Sequence, residues 1–204
     1  MVDNFEQIKK LLTFNSDDEF YFVQILQRKK DNPGGVNGSN NSSRLIKAYY
    51  ITSLEQLDRD KEEMIFFANH FNARVGINLN KRSFYKTAFN TLKHIAEQMH
   101  NKDFKQVKRA WNTSCGIHNG GDKIWLLDVD KLEDWIKYNG EKDRYNQINT
   151  LITNSQPYGH KCIAKIPSKN GYHLLVTAFD TREFVKKFPE IEIHKNNPTN
   201  LYIP

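Results

Sequence analysis

Between residues 123 and 194 the chain alternates strand-like and helix-like sequence in an order that few architectures accept. Trp125-Leu126-Leu127-Asp128-Val129-Asp130 closes a short, nearly continuous apolar run, the pattern of a buried strand at 123–130. Helical sequence follows from Lys131 to about Asn154. A strand-like segment at 161–166 turns through Ser168-Lys169-Asn170-Gly171 into another at 172–178. A short helix is predicted over about 181–187, and Glu190-Ile191-Glu192-Ile193-His194 alternates like a fourth strand. The order is β-α-β-β-α-β, and the fold class it implies is α+β.

That order belongs to the ferredoxin-like or RNA-recognition-motif arrangement, whose antiparallel strands lie in the order 4-1-3-2. The end of the first strand, with Asp128 and Asp130, then lies beside the start of the third, with His173. The turn carrying Ser168 and Lys169 falls at the same end, and so does the start of the fourth strand, with Glu190 and Glu192. Asp128 and Asp130 stand at i and i+2, so in an extended strand they share a face. Two neighbouring carboxylates repel unless a cation sits between them, and oxygen ligands suit a hard divalent ion such as Mg2+ or Mn2+.

The first 110 residues read as an N-terminal α/β unit, packed on the palm formed by 111–204, the two together making one domain. A helix at 4–12 is followed by a strand from Phe20 to Leu26. Residues 31–43 are nearly all Asn, Gly, Ser and Pro, the composition of a flexible hairpin loop or a disordered one. A strand from Ile46 to Thr52 pairs back. Ser53 and Gln56 then form a capping box for a helix holding Leu54, Leu57, Met64 and Ala68. A strand at 73–77 leads to a helix from Ser83 with an apolar stripe of Phe84, Ala88, Leu92, Ile95 and Met99. Arg74, on an apolar strand, calls for an anionic partner, either structural or a bound phosphate.

Charge and cysteine content narrow the setting. Thirty Lys and Arg against 24 Asp and Glu give a net charge of +6, compatible with a polyanionic partner. Cys115 and Cys162 are the only cysteines, which makes no disulfide framework and points to a reducing compartment. No apolar run approaches the ~20 residues that span a bilayer. The N-terminus lacks a signal-peptide pattern. A soluble, cytoplasmic protein without membrane contact is expected. The abundance of Lys and Asn suits an AT-rich phage or mobile element, in which case the compartment is the host cytoplasm.

The apolar run into Asp128-x-Asp130, the Ser168-x-x-Gly171-x-His173 string and an acid on a later strand resemble the archaeo-eukaryotic primase superfamily, which includes the primase-polymerases. The resemblance covers about 80 residues and three short strings. It implies an RNA-recognition-motif-like palm that performs metal-dependent nucleotidyl transfer in DNA replication. Asp128, Asp130 and Glu192 would be the catalytic acids holding two Mg2+ or Mn2+ ions, with Glu190 the second candidate for the third acid. Ser168, Lys169, His173 and Lys195 would bind the substrate triphosphate. The partners implied are nucleoside triphosphates and single-stranded DNA or a primed template. The chain departs from the family pattern at the third motif, where Glu stands for the commoner Asp and His194-Lys195 follows at once.

Other readings compete. Asp-x-Asp at a strand end is also an ordinary solvated terminus, a helix N-cap, or the signature of a haloacid-dehalogenase-type phosphatase. Ser168–His173 is also a plain hairpin turn. A noncatalytic palm could bind RNA through Trp125 and Tyr172, or serve as a virion or regulatory protein. Cys115, His118, His160 and Cys162 could compose a zinc site, though at no established spacing. Lys29, Lys30, Arg44, Lys81, Arg82, Lys105, Lys108 and Arg109 form basic surroundings in which Phe84, Tyr85 and Trp111 could stack bases.

Overall fold

The computed structural model describes residues 1–32, 42–117, 123–130 and 141–204, with the backbone alone at 141 and 142. In chain order the elements are β1 (Val2–Asp3), α1 (Phe5–Lys9), β2 (Glu19–Arg28), β3 (Ser43–Ile51), α2 (Leu54–Phe71), β4 (Arg74–Ser83), α3 (Phe84–His100), α4 (Ala110–Cys115), β5 (Ile124–Asp130), α5 (Glu141–Thr153), β6 (Cys162–Pro167), β7 (Gly171–Thr177), α6 (Arg182–Lys187), β8 (Glu192–His194) and β9 (Thr199–Ile203). The chain is α+β, with two antiparallel sheets and six α-helices among the described residues. Two compact units result: Met1–Gly121 with Pro198–Pro204, and Asp122–Asn197.

The first unit is built on the sheet β1-β9-β4-β2-β3. Strand β9, which the sequence reading left with the palm, pairs instead with β4 and β1. Its residues Thr199-Asn200-Leu201-Tyr202-Ile203 are all buried there, so apolar burial holds the returning strand in this sheet. Alternation along β2 divides the packing. Val23 and Ile25 are wholly buried, while Phe20 and Phe22 join Cys115 in a separate cluster with Tyr50, Phe84 and Trp111. Helix α2 packs on β2, β3, β4 and β9 through buried Leu57, Met64 and Ala68.

Local chemistry sets the element ends. The Gln56 N–H donates to Ser53 Oγ at 3.1 Å, and Gln56 Oε1 accepts from the Thr52 N–H at 2.9 Å, capping α2 at its start. Asn72, at φ 44°, closes it in the left-handed region. Ser83 caps α3 by accepting from the Lys86 N–H at 3.1 Å. Arg74 donates twice to Asp31 at 2.7 Å, so its partner is structural. The polar segment between β2 and β3 falls largely at 33–41, outside the described residues.

Strand β4 runs six residues beyond the 73–77 expected. Asn78, Asn80 and Arg82 make this stretch read as polar, yet all three are buried. Arg82 is satisfied by carbonyls: its Nε donates to Cys115 O at 2.8 Å and its Nη1 to Asn80 O. Hydrogen bonding to the backbone lets a polar edge continue a strand into the interior. Desolvation lowers the Arg82 pKa to about 10.

The second unit carries the sheet β6-β7-β5-β8, with every ladder antiparallel. Counted within the unit, the strand order is 2-3-1-4, the reverse reading of the expected 4-1-3-2. Trp125, Leu127, Val129, Tyr172, Leu174 and Val176 form one core with Ile148 and Ile152 of α5 and Phe184 of α6. The period of two along β5 and β7 puts these residues on a single sheet face. Trp125 and Tyr172 are therefore core residues, which removes them as the base-stacking surface considered above.

Candidate functional site

With Leu127 and Val129 in the core, alternation turns Asp128 and Asp130 to the opposite face of β5. Asp128 is directly opposite His173 of β7 on one side and directly opposite Glu192 of β8 on the other. Residues directly opposite across a ladder project to the same face, so Asp128, His173 and Glu192 form one row. Asp130 lies one pleat further along, opposite Gly171. His173 Nε2 is 3.6 Å from Asp128 Oδ1. Asp128 is 35% exposed, His173 is nearly buried and Asp130 is open to solvent.

The turn before β7 is held by Ser168 at both of its polar groups. The Ser168 N–H donates to Gly171 O at 3.0 Å, and Ser168 Oγ accepts from the Gly171 N–H at 3.1 Å. The hydroxyl proton is still available for donation. Gly171 is required for space: a Cβ there would overlap Val129 O and come within 2.9 Å of Asp130 Cα. Among the described residues positive φ occurs at Asn72, Lys102 and Gly159, so Gly171 is not needed for its backbone angle. A type I′ Asn-Gly hairpin needs positive φ at both central residues, and this turn is not one. Lys169 stands at the tip between Ser168 and Gly171.

The third string divides. Glu190 precedes β8 and binds Arg144 Nη2 of α5 at 2.6 Å, with the Arg144 side chain only 5% exposed. Glu192 begins the strand and is 75% exposed, its Oε2 3.1 Å from His194 Nε2. His194 is opposite Leu126, on the Asp128 face, and its Nδ1 lies 3.0 Å from Asn197 Nδ2. His194 is therefore a site neighbour that sequence reading named only as a departure from a motif. Alternation two residues beyond Glu192 was the available signal. Lys195 points the other way and lies over the Trp125 ring at 4.8 Å.

Asp128, Asp130 and Glu192 offer only carboxylate oxygen, the donor chemistry that Mg2+ and Mn2+ prefer. Among the described residues no group of three or more His, Cys, Asp or Glu side chains is arranged as a metal-ligand cluster. Of the residues considered for zinc, Cys115 is buried among aromatic rings, and burial pushes its thiol up to about 12. Cys162 lies 3.5 Å from Tyr145 Oη, and His118 is outside the described residues. Of the basic set, Lys81 pairs with Glu19 at 2.7 Å and Arg82 is internal. Phe84 stacks on Phe20 and Trp111 meets Tyr50 edge-on, which makes both of them packing residues.

Comparison with family models, with curated proteins and with solved structures returns no match. Among the described residues no helix is long and apolar enough to cross a membrane.

Proposed function

We propose that the second unit is an RNA-recognition-motif-like palm of primase-polymerase type, acting as a metal-dependent nucleotidyltransferase on nucleoside triphosphates and single-stranded DNA or a primed template. The observation that carries this reading is the row His173–Asp128–Glu192, with Asp130 beside it on the same face. Three strings separated by long stretches of sequence meet there on adjacent strands. A phosphatase of the Asp-x-Asp kind is disfavoured, because a βα core brings parallel strands and these ladders are antiparallel.

In this proposal Asp128 and Asp130 hold a divalent ion, with Glu192 as the third acid. The bound metal would supply charge stabilisation for an in-line displacement at phosphorus. The chain's own groups do the positioning. Ser168 holds the turn that carries Lys169 at its tip, an ammonium charge suited to phosphate. His173 sets an imidazole beside the Asp128 carboxylate, where an N–H is a donor to a phosphate oxygen. Gly171 lets β7 approach β5 closely enough to set His173 against Asp128.

A noncatalytic palm is the second reading, favoured by the contact of Glu192 with His194. Calorimetry with a deoxynucleoside triphosphate, with and without Mn2+, on wild type and Asp130→Ala separates the two. Binding that needs both Mn2+ and Asp130 supports the transferase. Absence of binding under every condition refutes it.

A further inference from the structure

The segment joining α3 to α4 carries a basic surface. Residues 102–109, Lys-Asp-Phe-Lys-Gln-Val-Lys-Arg, hold four cations against one acid, Asp103, and the next acid along the chain is Asp122. Lys102, Lys105, Lys108 and Arg109 are all exposed, and among the described residues their side chains have no ion-pair or hydrogen-bond partner. By contrast Lys9, Lys47, Lys61, Arg74, Lys81 and Lys93 of the same unit each meet a carboxylate at 2.7–3.9 Å. Glu97, the last acid of α3, is turned to Lys93 and His94.

Backbone geometry holds this surface in place. Lys102, at φ 57°, closes α3 in the left-handed region, and the Asp103 N–H donates to Gln98 O at 2.8 Å. Phe104–Arg109 is then a 3-10 helix packed on α3 and α4. At three residues per turn, positions i and i+3 eclipse about 6 Å apart along the axis. Lys105 and Lys108 therefore form one edge, Gln106 and Arg109 the next, and Phe104 and Val107 the third. Val107 is half-buried and anchors its edge. Phe104 is 64% exposed and meets no other ring among the described residues.

Cations without carboxylate partners, set around one open ring, suit a nucleic acid strand. Ammonium and guanidinium groups take the phosphates, and the ring takes the face of an unstacked base. A duplex offers its bases already stacked, so the ring favours the single strand. A bilayer surface calls for a broad apolar face, whereas Phe104 is the one exposed apolar side chain of residues 101–109. We propose that residues 102–109 hold single-stranded DNA, with Lys102, Lys105, Lys108 and Arg109 on phosphates and Phe104 stacked on a base. The choice of DNA rests on the transferase reading above, which needs a template, while the surface itself lies wholly within the first unit.

The probe is a fluorescein-labelled oligothymidylate of about 16 nucleotides, the upper end of ordinary single-strand site sizes. Its binding to the full chain is followed by fluorescence anisotropy in EDTA, without nucleotide. Under those conditions binding does not depend on a metal at Asp128 and Asp130, so the strand surface and the transferase reading fail separately. Lys105→Ala with Lys108→Ala should weaken binding at least about tenfold and flatten the log–log salt dependence by about 0.7 per lysine removed. Phe104→Ala should weaken it about tenfold with the salt slope unchanged, and Phe104→Trp should restore it. Against a duplex of the same length Phe104→Ala should have no effect. Absence of binding by the wild type, or an unchanged affinity and slope in the lysine pair, overturns the proposal. So does an equal effect of Phe104→Ala, or none, on single strand and duplex. Loss of co-sedimentation with phosphatidylserine vesicles in the lysine pair, at unchanged oligonucleotide affinity, assigns the surface to lipid and overturns it equally. Should Phe104→Ala fail to fold, the lysine pair decides alone, because Lys105 and Lys108 are both exposed.

Discussion

Asp128 and His173 are directly opposed in the ladder between β5 and β7, with His173 Nε2 3.6 Å from Asp128 Oδ1. They are 45 residues apart in sequence, and each belongs to a separate motif string. Glu192 of β8 occupies the corresponding position on the other side of β5. The central carboxylate thus has an imidazole on one side and a second acid on the other.

Replacing Asp128 or Asp130 by Ala should abolish Mn2+-dependent nucleotide binding and reduce nucleotidyl transfer by at least about 100-fold, since even groups supporting a metal ligand cost 10–100-fold. Both residues lie away from the core, so the circular dichroism melt should stay close to wild type. Unchanged activity in a primer-extension assay removes the metal assignment.

The two acids of the third string should behave differently. Glu190→Gln removes the charge opposite buried Arg144 and should cost about 1–2 kcal/mol, tempered by the exposure of Glu190. It should leave metal-dependent nucleotide binding intact. Glu192→Gln should do the opposite, with little change in urea midpoint and loss of that binding. Identical effects would show that Glu192 has no special role.

Gly171→Ala should destabilise by about 1–3 kcal/mol, the usual cost of overpacking, because the added methyl meets Val129 O and the Asp130 backbone. Chemical denaturation measures this. A neutral result would mean that the β5–β7 approach relaxes freely, and the argument for glycine in this motif would fail.

Burial holds the Cys115 thiol near 12, against 9.0 when unburied. Its contribution to stability is complete below pH 9 and is lost as the pH rises from 9 towards 12, because only the unfolded chain can ionise the thiol there. Native labelling with iodoacetamide at pH 8 should therefore stop at one thiol, Cys162, and reach two on denaturation. Rapid modification of Cys115 in the native protein would contradict its place beside Phe20 and Phe22.

Periodicity in the sequence was enough to locate most elements. The run 124–130, the turn at 168–171 and the caps at Ser53 and Ser83 are set by alternation and by local side-chain hydrogen bonds, which a short window contains. The acidic rim was legible for the same reason, because strand order and alternation together bring Asp128, His173 and Glu192 to one face. The other features depend on partners distant in the chain. β4 extends through Asn78, Asn80 and Arg82 because buried carbonyls accept the guanidinium, and β9 enters the first sheet because its apolar residues are buried there. Glu190 is drawn to Arg144, and the stripe of α3 that reads as core is split, with Leu92 and Met99 left in water. Sequence by itself determined where strands and helices form and which side chains share a face, because those follow from local geometry. Only tertiary structure decided which faces are covered and which polar groups are paired, because burial and hydrogen-bond partners are supplied by segments far away in the chain.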